Sequence, residues 1–301
     1  MISSRRLSAN AFKIASCCSS VVELTLIDNC IAKGFETPHT DFAVCRMLGF
    51  AAVTPKPHYL THLLQQLRSI AAHDLRQQSH LDGWGVTYWT PASLVHYRRT
   101  LPITQDPFFQ ELTEWNVVAR LAILHARRRG PKGAPTAIEN THPFVVRPRR
   151  NLHLAVAHNG TIYDVDKLPI PSSRLQGSTD SERFAWLIAS QFYRFSESTP
   201  KREYLVAAVR AAVQLIEAKG CAYTSLTALV ADGQRLLALY AIDPQRVRNP
   251  AYYQLRFLSD GNAVFVLQDR ADVPGASLIA EAENRHLYVI EPPHLYTYCL
   301  D

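Results

Sequence analysis

What the sequence lacks narrows its class before any motif is read. No apolar run approaches the roughly 18 residues that a membrane-spanning helix needs, so no membrane association is expected. The six cysteines, at positions 17, 18, 30, 45, 221 and 299, form no CxxC pair and keep no regular spacing. They suggest neither a zinc site nor a disulfide framework, and free thiols in a reducing cytoplasm are the plainer account. His125, His142, His153 and His158 lack the i, i+4 spacing of helical metal ligands. Core or pocket-wall roles are expected for them, with no metal and no cofactor. There are no internal repeats and no long linkers.

What is present is the composition of a globular protein: 301 residues, 47% hydrophobic and 19% charged. That length holds one large domain or two ordinary ones. The net charge of +6 raises the question of a polyanionic partner, and arginines cluster at 127–129 and again at 147, 149 and 150. No nucleic-acid motif accompanies them, so solvated faces are expected and nucleic acid is not.

Residues 1–44 read differently from the rest. Cys17, Cys18, Ser19 and Ser20 interrupt the apolar residues, so the compact apolar region of a secretory signal is missing. Four basic and four acidic side chains cancel there, which leaves the +6 to the remainder. The favoured account is a start assigned too early, since a valine codon at Val44 can initiate in bacteria and would place Cys45 next. A propeptide comes second and a targeting segment last. Residues 45–301 read as one domain.

Within it, residues 45–53 form an apolar, strand-like run closed by Pro55 and Pro57. Leucines at 60, 63, 64 and 67, with Ile70, predict a helix over 58–73. Strands are expected at 86–89, 94–99, 117–125, 140–146 and 152–158, with a short helix at 108–115. Ser178 or Thr179 caps a helix reaching Arg194, and Asp180 and Glu182 occupy its first turn. A second helix, 202–218, ends at Gly220 in the position of a left-handed cap. Strands at 225–231, 235–242, 255–259, 263–268 and 286–290 follow, two of the connections being Asp-Gly hairpins. The pattern is α+β with antiparallel sheet.

Several residue types along this chain suit acyl-transfer chemistry. A thiol acts as a nucleophile only as thiolate and needs a nearby base. Were Cys45 the chain terminus, its own α-amino group, with a pKa near ~8, would supply that base. Asn159 and Gly160 offer a side-chain amide and a backbone N–H at a turn after a buried strand, as an oxyanion requires. Arg127 suits a substrate carboxylate and Asp180 a substrate ammonium. Taken singly each has a plainer reading: a core cysteine, a tight turn, a helix-start carboxylate.

Read in order, Cys45 with its apolar run, HLDGWGVTY (80–88), HAR (125–127) through NTHPF (140–144) and LAVAHNGTI (154–162), and GSTDSE (177–182) resemble the glutaminase domain of class II glutamine amidotransferases. The resemblance implies an αββα four-layer sandwich of the N-terminal-nucleophile hydrolase type. It implies Cys45 as nucleophile, Asn159 and Gly160 as oxyanion hole, and Arg127 and Asp180 on the substrate's carboxylate and amine. His142 and the turn at Gly83 and Trp84 become parts of the pocket wall. One departure stands out: the family follows its H-x-R with a small residue and then serine or threonine, and here Arg128, Arg129 and Gly130 follow. The implied substrate is glutamine or a γ-glutamyl amide, with ammonia passed to a separate accepting subunit or simply released. If residues 1–44 stay attached, the alternative is a non-catalytic γ-glutamyl-binding or scaffold subunit.

Overall fold

The computed structural model describes residues 44–130, 133–149, 152–195 and 203–301. Every described element lies in one compact unit that ends at Asp301. The account of residues 1–44 as a leader therefore falls, Val44 apart, outside the described residues.

The first half of the unit contains β1 (Arg46–Ala52), α1 (Pro57–Ala72), β2 (Trp84–Trp89), β3 (Leu94–Arg99), α2 (Pro107–Glu114) and β4 (Leu121–Ala126). Next come β5 (Phe144–Arg149), β6 (Leu152–Asn159), α3 (Asp180–Phe195) and α4 (Tyr204–Ala218). The chain closes with β7 (Thr227–Ala231), β8 (Leu236–Tyr240), β9 (Arg256–Ser259), β10 (Ala263–Leu267), β11 (Ser277–Glu281), β12 (His286–Glu291) and β13 (His294–Cys299).

Local chemistry explains the helix ends. Pro57 opens α1, where its missing N–H costs nothing. Asp106 caps α2 by accepting from Phe108 N. At α3, Thr179 Oγ1 accepts from Glu182 N at 3.1 Å, while the Glu182 carboxylate reaches back to Gln176 N and Gly177 N, both at 2.8 Å. Thr179, not Ser178, is thus the cap. Gly220 ends α4 with φ +64°, as its position after the apolar stripe predicts.

The strands form a seven-stranded sheet, β11-β9-β10-β1-β4-β2-β3, and a six-stranded sheet, β13-β12-β8-β7-β6-β5. Every neighbouring pair in them is antiparallel. The two-residue period of each strand sorts its side chains into layers. On β1, Leu48, Phe50 and Ala52 pack with the leucines of α1 and with Phe109 and Leu112 of α2. Met47 and Ala51 face the other way, toward Ala155, Ala157, Leu229 and Ala238 of the second sheet. The far face of that sheet, with Val156, Val230 and Leu237, packs on Phe184, Ile188, Val209 and Val213 of α3 and α4. Helices, sheet, sheet and helices follow in that order, the αββα sandwich. At Gly49 a Cβ would lie 3.0 Å from Ala122 O, 3.1 Å from Leu229 Cδ1 and 3.2 Å from Leu236 Cδ2, so the missing side chain lets the sheets approach.

The structure corrects the predicted boundaries in four places. β4 begins at Leu121, not Val117, because its pairing with β1 ends at Ala51↔Leu121. Residues 138–140 make a 3₁₀ turn, and β5 starts only at Phe144. Ser225 contributes an isolated bridge to Ile242, and β7 starts at Thr227. β11 and β13 were not anticipated: both are edge strands with mostly exposed or half-buried residues, and Leu278 and Ile279 of β11 are 55% and 47% exposed. Without a buried face they carry little of the alternation that marks a strand.

Candidate active site

The sheet registers bring the candidate residues to one end of the sandwich. β1 and β4 pair with Arg46 opposite Ala126 and Met47 opposite His125, so the next positions, Cys45 and Arg127, adjoin. β6 points Ala155 and Ala157 into the space between the sheets. By the same period Asn159, its last residue, faces Cys45. The Asn159 amide spans the cysteine backbone: Cys45 N donates to Oδ1 at 2.9 Å, and Nδ2 donates to Cys45 O at 3.0 Å. Val44 precedes Cys45 in this chain, so the nitrogen on Asn159 is a peptide N–H. It stands where the α-amine of a chain beginning at Cys45 would lie.

The thiol is bracketed by backbone alone among the described residues. Arg128 N donates to Sγ at 3.4 Å, and Sγ approaches Arg128 O at 3.7 Å. Burial pushes the Cys45 thiol up from its usual 9.0, against the downward pull of the Arg128 N–H and the charges of Arg127 and Arg46. The group is therefore protonated at neutral pH and reacts only with a base.

Gly160 follows Asn159 with φ +155°, and a Cβ there would sit 2.0 Å from Ser225 O. Only glycine fits this turn. Asp180, the first residue of α3, accepts from Ile162 N at 2.7 Å through Oδ2. His158 ties the two elements together, with Nδ1 2.9 Å from Ser181 Oγ and Nε2 3.0 Å from Ser225 O. Arg127 is buried, and its guanidinium donates to Ala134 O at 2.7 Å and Pro135 O at 3.1 Å. Asn140 holds the same loop from below: Nδ2 donates to Pro135 O at 3.0 Å and Oδ1 accepts from Ser178 N at 2.8 Å.

The turn at 82–85 proves to be a clamp on that loop. Arg127 N donates to Gly83 O at 2.8 Å, and Asp82 accepts from Arg129 N at 2.8 Å and Thr136 Oγ1 at 3.1 Å. Gly83 has φ +106°, and its Cβ would lie 2.6 Å from Arg99 O. Trp84, expected at the pocket wall, turns instead into the core under α1 and α2. It packs on Tyr97 and Phe109 and donates from Nε1 to Asp106 Oδ2 at 3.0 Å. A tryptophan at the first position of a strand falls on the helix-facing side by parity, and its size suits the core.

His142 is also buried, its ring tilted 35° against His125 at 4.1 Å between centroids and edge-on to Phe144 at 4.6 Å. None of the four ring nitrogens of this pair has a hydrogen-bond partner among the described residues. The His158 backbone attracts His125 without reaching hydrogen-bond geometry. Burial first, then the positive field of Arg127 at His125 and the neighbouring imidazoles of His125 and His158 at His142, holds both rings well below the usual 6.5, so they are neutral.

One group at the site escaped sequence reasoning. Arg46, wholly buried beside Cys45, donates from Nη2 to Asp74 Oδ2 at 2.8 Å, from Nε to Asp269 Oδ2 at 3.1 Å, and from Nη1 to Cys45 O at 2.9 Å. Its guanidinium lies 3.8 Å from the Tyr252 ring centroid. Asp74 also receives His80 Nε2 at 3.0 Å, the Tyr252 hydroxyl, Arg76 N and Gln78 N. Burial alone would raise its pKa, and these donors with the Arg46 charge hold it well below the carboxylate range instead. Gln268 completes the frame, accepting from Met47 N at 3.0 Å and Asn159 Nδ2 at 3.4 Å. The available signal was a charged residue inside an otherwise apolar strand.

A cysteine just ahead of a central strand is thus faced across the sandwich by an asparagine–glycine turn. The family model for class II glutamine amidotransferases matches residues 44–291, and the chain belongs to that family. The fold is similar to that of the glutamine phosphoribosylpyrophosphate amidotransferase of Bacillus subtilis, with TM-score 0.61 and 20% identity over 85% of this chain and 49% of that one. A class II domain protein of Silicibacter pomeroyi aligns with TM-score 0.53 and 16% identity, over 85% of this chain and all of that one. In sequence, an uncharacterised protein of Methanocaldococcus jannaschii is 28% identical over 116 residues, 38% of this chain. This chain covers 32% of that relative and about half of the amidotransferase. Among the described residues no helix is long and apolar enough to cross a membrane.

Proposed function

We propose that the chain hydrolyses the γ-amide of glutamine, or of a related γ-glutamyl amide, through a γ-glutamyl thioester on Cys45. The observation that carries this reading is the Asn159 amide laid across both backbone groups of Cys45, at 2.9 and 3.0 Å. In a chain beginning at Cys45, Oδ1 would orient the α-amine, which takes the thiol proton that burial otherwise keeps in place. Sγ then attacks the amide carbon. The oxyanion falls to Asn159 Nδ2 and Gly160 N–H, each such donor being worth roughly 3 kcal/mol of barrier. The amine returns its proton to the departing ammonia, and water later cleaves the thioester. Arg127 grips the substrate carboxylate after giving up Ala134 O and Pro135 O, and Asp180 takes the ammonium. Ammonia is released or passed to a separate accepting subunit.

The test begins with the intact mass and N-terminal sequence of the protein purified from its host. A mature chain starting at Cys45, with glutaminase activity that Cys45→Ala abolishes, supports the mechanism. A mature chain retaining residues 1–44 defeats it, since the amine base is then absent. A γ-glutamyl-binding scaffold subunit becomes the better account.

A further inference from the structure

We infer that Arg46 is a positioning residue for this reaction, acting through Asn159 by sharing the Cys45 carbonyl with it; the inference rests on the functional reading above. The carbonyl of Cys45 accepts from two directions, Arg46 Nη1 at 2.9 Å and Asn159 Nδ2 at 3.0 Å. Asn159 Nδ2 carries two hydrogens. One is on Cys45 O, and the other is held only by a 3.4 Å contact to Gln268 Oε1, so it is the hydrogen that can turn to an oxyanion.

A buried carbonyl left without a donor is penalised. If Asn159 were the sole donor to Cys45 O, any tilt of the amide toward substrate would incur that cost. With Arg46 in place the carbonyl stays paired throughout, and a small tilt of the amide does not orphan it. Arg46 is itself immobile: Asp74 and Asp269 hold Nη2 and Nε, and Tyr252 covers its face. Leu75 N, Arg76 N and Gln78 N hold the two carboxylates in turn. A guanidinium with three separate nitrogens engaged is a rigid fork, which a lysine ammonium on a flexible stem cannot reproduce.

The role predicts a specific kinetic signature. In protein whose N terminus has been read as Cys45, Arg46→Lys should lower kcat for glutamine by on the order of 10²-fold, the cost of a small misplacement at the reacting centre. KM should stay within about threefold, because Arg127 and Asp180 are untouched. The rate of Cys45 alkylation by iodoacetamide should also stay at the wild-type value, because the thiol and its base are untouched. Asp269→Asn, which keeps the shape and one acceptor, should give a smaller fall of the same kind. It carries the test if Arg46→Lys does not fold. Unchanged kcat in a folded variant overturns the proposal, as does a kcat loss matched by an equal loss of alkylation rate. A wild-type protein that starts at Cys45 and cleaves no γ-glutamyl amide sinks the functional reading itself, whereas an active wild type with an unimpaired Arg46→Lys sinks the positioning role alone.

Discussion

The packed pair His125 and His142 makes stability sensitive to mild acid. In the unfolded chain each imidazole titrates near 6.5; in the folded protein burial depresses both well below that. The unfolded state therefore binds more protons as pH falls, so this contribution is complete above about 6.5 and is lost below it. If a ring stays neutral down to pH 5, linkage over the drop from pH 7 amounts to about 2 kcal/mol, or about 4 kcal/mol for the pair. That is a large share of the 5–15 kcal/mol typical of a domain. His142→Phe keeps the ring contacts with His125 and Phe144 and removes two buried nitrogens with no partner among the described residues. Urea unfolding followed by tryptophan fluorescence at pH 7, 6 and 5 should give the wild type a steeper loss than the variant, by about 2 kcal/mol over the range. Parallel curves for the two proteins would refute the assignment of neutral imidazoles to this position.

Two further substitutions probe the turn and the helix start. Gly160→Ala puts a Cβ 2.0 Å from Ser225 O at φ +155°. A cost of at least about 3 kcal/mol, or failure to fold, is expected in thermal melts, and a wild-type melting temperature would contradict the geometry. Asp180→Asn retains an acceptor for Ile162 N while removing the charge. KM for glutamine should rise roughly 10- to 100-fold with stability within about 1 kcal/mol, and an unaltered KM would remove Asp180 from the substrate's amine.

The parts of the fold legible in the sequence are those where one face is buried and the other is not. The leucines of α1 and the Thr179-to-Glu182 start of α3 announce themselves because capping and amphipathic spacing are local. β11 and β13 stay hidden, because an edge strand takes its pairing from a neighbour distant in sequence. At the site, Cys45, Arg127, Asn159 and Asp180 lie at strand ends, a turn and a helix start, which short stretches of sequence carry. Arg46 could not be named in this way, because its partners Asp74 and Asp269 lie 28 and 223 positions away and only the folded register joins them. Trp84 shows the converse error. The family resemblance suggested a place in the pocket wall, whereas strand parity directs it into the core.

The Asn159-to-Cys45 hydrogen bonds have a consequence for how this enzyme class can fail. One partner precedes the first residue of a strand in one sheet, and the other is the last residue of a strand in its counterpart. Neither sheet alone contains a site. A slide of one layer past the other by a single residue, about 3.3 Å, would leave the hydrogen-bonded ladder of each sheet intact while pulling the amide off the cysteine. On the proposed mechanism turnover reports the alignment of two separately hydrogen-bonded layers, and a variant at Gly49, where a Cβ would meet Leu229 and Leu236 of the other sheet, is expected to lose activity before it loses secondary structure.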